Sequence, residues 1–269
     1  MDLGLAGATV VVSGGSKGMG RAAAERFAMD GARVAVLARG QTALDETATA
    51  LLDLGAREAL GISTDLTELE SVESAFDEIA LHFGSLNVLV NAAGPVDVGI
   101  GNFDDVDDDE WVATFDIGTL SAVRCVRAAL PLLRASEWAR VVNVSAHSTR
   151  RQAPELVAYT ASKAALTSLS KNLSLSLAPA GILVNTVSPG SFLSDGLKGY
   201  MRSLPPERHA DPDDLHDAMR IISEDFGHPA HLARAGDPDE IGPVIAFVGS
   251  RANSYMTGAD VNVDGGSDF

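Results

Sequence analysis

The sequence predicts a doubly wound α/β fold, in which helices cover both faces of a parallel sheet. Two observations lead to this prediction: short apolar runs rich in β-branched residues alternate with longer stretches of helical periodicity, and no repeat or long low-complexity linker divides the chain. Strands that alternate with helices form crossover units, and such units build parallel sheets. The strand-like runs are Ala8–Val12, Arg33–Leu37, Leu86–Val90, Arg140–Val144, Ile182–Val187 and Asp260–Val263. The helical stretches include Gly20–Asp30, Gln41–Leu54, Leu69–Phe83, Trp111–Leu133 and Tyr159–Leu177.

The composition is that of one large folded domain, which we expect to occupy residues 1–269. Hydrophobic residues make up 46% of the chain, enough for a sizeable core. The 20 Lys and Arg against 37 Asp and Glu give a net charge of −17, which disfavours nucleic acid and anionic membrane surfaces as partners. The single cysteine, Cys125, indicates a reducing compartment, so we expect a cytoplasmic protein without a membrane span.

A glycine-rich loop joins the first predicted strand to the first helix. Its glycines are Gly14, Gly18 and Gly20, with Ser16, Lys17 and Met19 among them. Glycine permits a tight turn and lets backbone amides approach a pyrophosphate, which the helix N-terminus then stabilises. The loop therefore predicts a dinucleotide site, whose residues here are Gly14, Ser16, Lys17, Gly18 and Met19.

The second predicted strand ends in a cation rather than a carboxylate. An acidic residue there would bind the ribose 2′-hydroxyl of NAD, but the sequence has Ala38 and Arg39. Lys17 in the glycine-rich loop supplies a second positive charge. Two cations suit a 2′-phosphate, so we expect NADP as the preferred cofactor and NAD as the alternative.

The segment 194–234 is the least regular part of the predicted domain. It is rich in Pro, Asp and His, and it also contains isolated apolar residues. We expect a lid or substrate loop here, with a pair of packed helices as the alternative.

Four ordered motifs give the chain a family resemblance. They are the glycine-rich loop, Asn91-Ala92-Ala93-Gly94, Tyr159-Thr160-Ala161-Ser162-Lys163 and Ser188-Pro189-Gly190. In these motifs the chain resembles the classical short-chain dehydrogenases/reductases, and the likeness extends to Val263-Asp264-Gly265-Gly266. The resemblance implies a single Rossmann domain that binds NAD(P) and exchanges hydride with a small-molecule carbonyl or secondary alcohol. It also implies a homotetramer or homodimer.

Tyr159 and Lys163 form the pair expected to carry the chemistry. They are four residues apart and therefore neighbours on one face of a helix. An ammonium close to a phenol favours the phenolate, so we expect the pKa of Tyr159 to fall from about 10 toward neutrality. Tyr159 would then protonate a carbonyl oxygen as hydride arrives from the nicotinamide. The resemblance implies that Lys163 also hydrogen-bonds the nicotinamide ribose.

The resemblance implies further contacts with the cofactor. Asp65 matches the residue that contacts the adenine ring, and Asn91 would lie at the end of the fourth strand, where a structural strand cap is the alternative. Phe192 and Ser194 correspond to the stretch that meets the nicotinamide carboxamide. Together with Arg39, the predicted cofactor contacts outside the glycine-rich loop and the reactive pair are Asp65, Leu66, Asn91, Ala92, Gly94, Pro189, Gly190, Phe192 and Ser194.

The serine of the family's catalytic set is displaced in this chain. Ala146 stands where the family has serine, and Ser145 and Ser148 flank it. If the chain is extended there, alternation puts Ser148 on the same side as Ala146. We therefore expect Ser148 to hydrogen-bond the substrate oxygen, whereas a local shift of one residue would give this role to Ser145. The neighbouring His147 either shapes the pocket or packs as a structural residue.

The family's asparagine in the preceding helix is replaced by Gly118. In the family that asparagine holds a water in a proton relay from the lysine. With Gly118 we expect a water in the vacated volume, anchored by backbone groups. The run Asp116–Leu120 has a short likeness to the enoyl-thioester-reducing branch of the family, so an enoyl-type reductase is an alternative.

The preferred function is an NADP-dependent oxidoreductase that interconverts a ketone or 3-oxoacyl compound and its secondary alcohol. A cofactor-binding protein with little turnover is a second alternative, and the retention of both Tyr159 and Lys163 favours the enzyme. We expect no metal, because the aspartates of Phe103–Trp111 precede a helical stretch and there stabilise the positive helix end.

Overall fold

Seven parallel strands form the centre of the molecule. A computed structural model of the chain describes residues 2–95 and 98–267. The strands are β1 (Thr9–Ser13), β2 (Arg33–Ala38), β3 (Glu58–Ser63), β4 (Val88–Asn91), β5 (Ala139–Val144), β6 (Ile182–Pro189) and β7 (Asp260–Val263). They lie in the order β3-β2-β1-β4-β5-β6-β7, and each neighbouring pair is parallel. The predicted doubly wound fold is confirmed.

Helices cover both faces of this sheet. They are α1 (Gly18–Met29), α2 (Gln41–Asp53), α3 (Leu69–Phe83), α4 (Asp108–Phe115), α5 (Ser121–Arg134), α6 (Val157–Leu177), α7 (Asp195–Ser203), α8 (Leu215–Phe226) and α9 (Pro238–Val248). On one face Phe27 of α1 and Ile241 of α9 belong to the same buried cluster as Val10 of β1, and on the other Phe76 of α3 packs in the cluster that holds Val11. Strands buried on both faces read as continuous apolar runs, which is why β1 was visible in the sequence.

The edge strand β3 was missed by the sequence analysis. Only Ile62 of its six residues is buried, and Gly61 interrupts its apolar pattern. Gly61 is needed because a Cβ there would lie 2.8 Å from Leu44 Cβ of α2. A half-exposed strand that contains glycine has no strong periodicity, so this element depends on tertiary packing.

The helix predicted over Trp111–Leu133 is not continuous. It begins at Asp108, and a π-helical turn over Asp116–Leu120 separates α4 from α5. Asp107 caps α4 by accepting a hydrogen bond from Glu110 N at 2.9 Å. The interpretation of the acidic run as a stabilised helix end is therefore confirmed.

Segment 194–234 contains the packed helices that were the alternative to a lid. Helices α7 and α8 enclose a small apolar cluster of their own, separate from the two cores on the sheet. Its buried members are Leu193, Met201, Ala218, Met219, Ile221, Ile222, Ala230 and Ala235. Closure of this helix pair over a substrate stays a prediction. Within the described residues, every helix is too short or too polar to span a bilayer.

Candidate active site

The carboxyl ends of the strands bring the predicted site residues to one edge of the sheet. β1 ends at Ser13 beside Asn91 of β4, and β5 ends at Val144 beside Val187 of β6. The strand order reverses between β1 and β4, and this switch point is where open α/β sheets bind their ligands. The motifs that are far apart in the sequence therefore converge here.

The glycine-rich loop turns tightly between β1 and α1. Gly14 has a φ of 73°, and a Cβ there would lie 2.7 Å from Ala93 N, so only glycine lets the loop pack against the Asn91–Gly94 segment. Gly20 faces the carbonyl oxygen of Gly14 with no room for a side chain. Ser16 is half-buried, and Met19 packs against the apolar core that includes Val10 and Phe27.

The N-terminus of α1 is open to a ligand. Its cap residue, Lys17, makes no side-chain hydrogen bond to the first turn, and no described heavy atom lies within 4 Å of the position that a Cβ on Gly18 would occupy. Unsatisfied amides at the positive end of a helix dipole form an anion site. This open cradle fits the pyrophosphate of a dinucleotide.

Cations lie beyond β2, where the ribose 2′ position is predicted. Arg39 and Lys17 are both exposed. Asp65 accepts hydrogen bonds from Thr67 N at 2.9 Å and Thr67 Oγ1 at 2.6 Å. These bonds and the nearby Arg39 lower the pKa of Asp65, so its carboxylate is charged. The charged group is bound by Thr67, two residues further along the same turn. Leu66 is buried, and its contact with a cofactor stays a prediction, as does that of Asp65.

Asn91 belongs to a chain of buried polar side chains that crosses the sheet. Its Nδ2 donates to Asn143 Oδ1 at 2.8 Å, and Asn143 Nδ2 donates to Ser170 Oγ at 2.8 Å. Ser13 Oγ donates to Asn91 Oδ1 at 3.4 Å. Asn91 therefore has a structural role at the end of β4, which was the alternative to a cofactor contact. Asn143 belongs to the same chain of polar side chains, and no sequence motif revealed it.

Lys163 is anchored at the centre of the site. It is 3% exposed, and its Nζ donates to the carbonyl oxygen of Val144 at 2.9 Å. A Cβ on Gly94 would lie 2.9 Å from this Nζ, so the absence of a side chain at Gly94 leaves room for the ammonium. Burial lowers the pKa of Lys163 to about 8. Tyr159 lies one turn earlier on the same helix, α6.

The expected direction of the Tyr159 pKa shift is wrong for the chain alone. Burial raises the pKa of Tyr159 to about 12, because desolvation disfavours the phenolate. Helical spacing indicated that Lys163 was near, but it could not indicate how strongly the surrounding protein desolvates the phenol. The phenol therefore keeps its proton at neutral pH, which suits a proton donor to a carbonyl oxygen.

The two candidate serines have different surroundings. Ser145 Oγ donates to Lys163 O at 3.1 Å and lies 2.7 Å from Thr167 Oγ1, so it is turned toward α6. Ser148 is 2% exposed, and within the described part of the chain its Oγ has no hydrogen-bond partner. The chain is not extended as far as Ser148, since His147–Thr149 form a 3-10 turn that contacts α6. The expectation that side chains alternate in direction from Ala146 to Ser148, as in an extended strand, was therefore wrong.

Gly118 lies within the π-helical turn and leaves no vacated volume. A Cβ at this position would lie 2.5 Å from Ser162 Oγ and 3.0 Å from Ser162 Cβ. Ser162 Oγ donates to Tyr159 O at 2.8 Å, and Thr119 Oγ1 donates to Ser162 O at 2.7 Å. The expected water beside Gly118 is therefore replaced by Ser162, and the absence of a side chain is a packing requirement.

The end of β6 is shaped by close backbone contacts. Gly190 N donates to Val263 O at 2.9 Å, and a Cβ on Gly190 would lie 2.6 Å from Asp264 Cα. Phe192 covers Gly236, and Ser194 caps α7 by accepting from Leu197 N at 3.2 Å. The predicted contacts of Pro189, Phe192 and Ser194 with a nicotinamide stay predictions.

His147 packs into this region rather than facing solvent. Its Nδ1 lies 3.1 Å from Pro189 O, and its ring meets that of His228 at 6.1 Å between centroids. Glu155 also lies near His228, with 4.0 Å between Glu155 Oε1 and His228 Nε2. No motif connects these three residues in the sequence, because His228 is far along the chain from the β5–α6 connection that holds His147 and Glu155.

Comparison with known proteins supports the resemblance along the whole chain. A family model described as "Enoyl-(Acyl carrier protein) reductase" matches residues 14–268. The "Uncharacterized oxidoreductase YvrD" of Bacillus subtilis (strain 168) is 31% identical over 267 residues, which is 99% of this chain and 98% of that protein.

Two solved structures have the same fold. L-Sorbose reductase from Gluconobacter frateurii, complexed with NADPH and L-sorbose, matches with a TM-score of 0.91 and 26% identity over 99% of this chain and 98% of its own. The RhlG/NADP active-site complex of Pseudomonas aeruginosa matches with a TM-score of 0.83 and 29% identity over 99% of this chain and 98% of its own.

Proposed function

This chain belongs to the short-chain dehydrogenase/reductase family, and we propose that it exchanges hydride between NADP and a ketone or its secondary alcohol, with Tyr159 as the acid/base. One observation carries the proposal: the turn that bears Ser148, whose buried hydroxyl has no hydrogen-bond partner among the described residues, contacts the helix of Tyr159 and Lys163. The NADP complexes of the two structural neighbours support the choice of cofactor.

Each residue of the site has a distinct part in the proposed reaction. A bound nicotinamide supplies or accepts the hydride. Ser148 Oγ donates a hydrogen bond to the substrate oxygen and fixes its position. Tyr159 donates its proton to that oxygen as negative charge develops there. Lys163, whose pKa of about 8 is lower than the value of about 12 for Tyr159, then returns a proton to the phenolate.

The serine assignment predicts different results for two similar variants. Ser148→Ala should lower kcat/KM for ketone reduction by about 10- to 100-fold, the usual effect of losing a hydrogen bond to developing charge. Ser145→Ala should change kcat/KM less than about threefold and lower the Tm instead, because its hydroxyl bonds only within the protein. Steady-state kinetics and thermal unfolding of both variants check this. The reverse pattern would assign the substrate oxygen to Ser145.

The cofactor assignment predicts a preference that depends on Arg39. Arg39→Ala should lower kcat/KM for NADPH by about 10- to 100-fold, since a charge-assisted contact with the 2′-phosphate is lost, and leave that for NADH within about twofold. The matched control is Arg134→Ala, an exposed arginine at the end of α5. A clear preference of the unaltered protein for NADH would contradict the assignment.

An enoyl-type reductase is the second candidate. The description of the matching family model favours it. Such an enzyme would deliver hydride to a carbon–carbon double bond conjugated with a thioester, and the proton from Tyr159 would go to the enolate. The reduction of a crotonyl thioester, compared with that of a 3-oxoacyl thioester, distinguishes the two reactions.

Assembly and location extend the same proposal. We infer a homotetramer or homodimer that pairs through the α4–α6 side, where Phe103, Val112 and Leu175 are exposed although apolar. A cavity of about 730 Å³ between Phe103, Trp111 and α6 lies on this side.

Cys125 is a buried free thiol, which is compatible with the cytoplasm as the compartment.

A further inference from the structure

His147, Glu155 and His228 form a titratable cluster beside the proposed substrate oxygen site, and we call it the histidine–glutamate cluster. The rings of His147 and His228 lie 6.1 Å apart, and His228 Nε2 lies 4.0 Å from Glu155 Oε1. His147 directly precedes Ser148 in the sequence, and Glu155 leads into the helix of Tyr159. The cluster therefore borders both groups that are proposed to contact the reacting oxygen.

The cluster holds buried polar atoms that the fold leaves without partners. His228 is 8% exposed, and within residues 2–95 and 98–267 neither of its ring nitrogens makes a hydrogen bond. The same holds for Glu155 Oε1 and for Ser148 Oγ. Folded proteins pair more than about 90% of their buried polar groups, so four such atoms in one place indicate a site for a hydrogen-bonding ligand.

The loop that carries His228 is tied to the rest of the site. Arg151 donates to Gly227 O at 3.2 Å, to Pro229 O at 3.4 Å and to Ser267 O at 3.3 Å. His228 is thus held from both sides by its neighbours in the chain.

The chemistry of the cluster matches hydroxyl groups. The pKa of His228 is lowered mainly by burial and to a lesser extent by the neighbouring His147. Its ring is therefore neutral, so one ring nitrogen donates a hydrogen bond and the other accepts one. The carboxylate of Glu155 only accepts hydrogen bonds. A hydroxyl donates and accepts, so it can pair with each of these atoms. A carboxylate or phosphate of a ligand would meet Glu155, and an alkyl chain would leave all the polar atoms unpaired.

We propose that the histidine–glutamate cluster makes the enzyme selective for neutral polyhydroxylated ketones and the corresponding polyols. Hydroxyl groups next to the reacting carbon pair with His228 and Glu155, while Ser148 binds the carbonyl oxygen. This inference rests on the proposed function and deepens it. It assigns specificity to two residues that lie outside the sequence motifs of the family resemblance.

The kinetic test compares two ketones with the same four-carbon skeleton, erythrulose and butanone, each reduced with NADPH. The unaltered protein should favour erythrulose by at least about tenfold in kcat/KM. His228→Phe keeps an aromatic ring but removes both nitrogens, and Glu155→Gln removes the charge but keeps the shape. Each should lower kcat/KM for erythrulose by about 10- to 100-fold and change that for butanone less than about threefold. His82→Phe on α3 is the matched control.

A binding measurement separates specificity from catalysis. The NADPH-loaded protein cannot turn over an alcohol, so calorimetry of threitol, erythritol and sec-butanol with it reads affinity alone. Both polyols should bind at least about tenfold tighter than sec-butanol, or one of them if the site is stereospecific, and His228→Phe should abolish the difference.

Three results would overturn the inference. The first is equal turnover of erythrulose and butanone, and the second is a preference for butanone or an acetoacetyl thioester over erythrulose. The third is an equal loss for both ketones in both variants. In these cases hydride transfer to a ketone still stands. Failure of the unaltered protein to reduce any of the three compounds would instead contradict the proposed function, and the inference with it.

Discussion

Replacement of Tyr159 by phenylalanine should lower kcat for ketone reduction by about a thousandfold, and the dissociation constant of NADPH should change less than about threefold. The variant keeps the ring on α6 and loses only the hydroxyl. That hydroxyl holds its proton at neutral pH because burial raises the pKa of Tyr159 to about 12. Steady-state kinetics and fluorescence titration of NADPH measure the two quantities separately.

The matched control for this variant is Tyr255→Phe, because Tyr255 is 97% exposed and far from any proposed role. Its kinetics should equal those of the unaltered protein. The direction of the pH dependence gives a second check. Alcohol oxidation requires a deprotonated acceptor, so its rate in the unaltered protein should rise with pH, whereas the residual rate of Tyr159→Phe should lose this rise. Equal kcat values for Tyr159→Phe and Tyr255→Phe would remove Tyr159 from the mechanism.

The second large effect is expected from restoring the family's asparagine at Gly118. In Gly118→Asn the new Cβ would lie 2.5 Å from Ser162 Oγ and 3.0 Å from Ser162 Cβ. Overpacking of this kind costs about 1–3 kcal/mol of stability. Activity should also fall by at least about tenfold, because the strain is applied one residue before Lys163 and close to Tyr159. Chemical denaturation and kcat measure both effects.

A second substitution tests whether Ser162 is the cause. In a Ser162→Ala background the nearest clashing atom is absent, so Gly118→Asn should lose about 1 kcal/mol less stability than in the unaltered chain. Gly199→Asn on α7 is the control, since no described heavy atom lies within 4 Å of its Cβ position. If Gly118→Asn is as stable and active as Gly199→Asn, our account of Gly118 is wrong.

Local patterns predicted the elements whose causes are local. Periodicity revealed the buried strands and most helices, and the spacing of Tyr159 and Lys163 put them on one helical face, as the structure has them. The glycine-rich loop was predictable because two of its requirements are local: Gly14 has a φ of 73°, and Gly20 faces the carbonyl oxygen of Gly14 within the same strand–turn–helix unit.

The features that the sequence analysis missed depend on distant parts of the chain. β3 is half-exposed and needs Gly61 to fit Leu44, and the π-helical turn at Gly118 needs Ser162 to pack against it. The direction of the Tyr159 pKa shift depends on burial, which the spacing to Lys163 does not contain. Likewise, His228 meets His147 and Glu155 only because the segment after α8 folds against the β5–α6 connection.

The central claim is that Tyr159 serves hydride transfer from a nicotinamide to a carbonyl carbon. Its most direct test is a single turnover with NADPH deuterated at the transferring position and either erythrulose or butanone, run side by side with Tyr159→Phe. The account predicts deuterium at the carbinol carbon of the product, formed about a thousandfold more slowly by the variant. NADPH binding without deuterium transfer to either ketone, or equal rates in the two proteins, would contradict it.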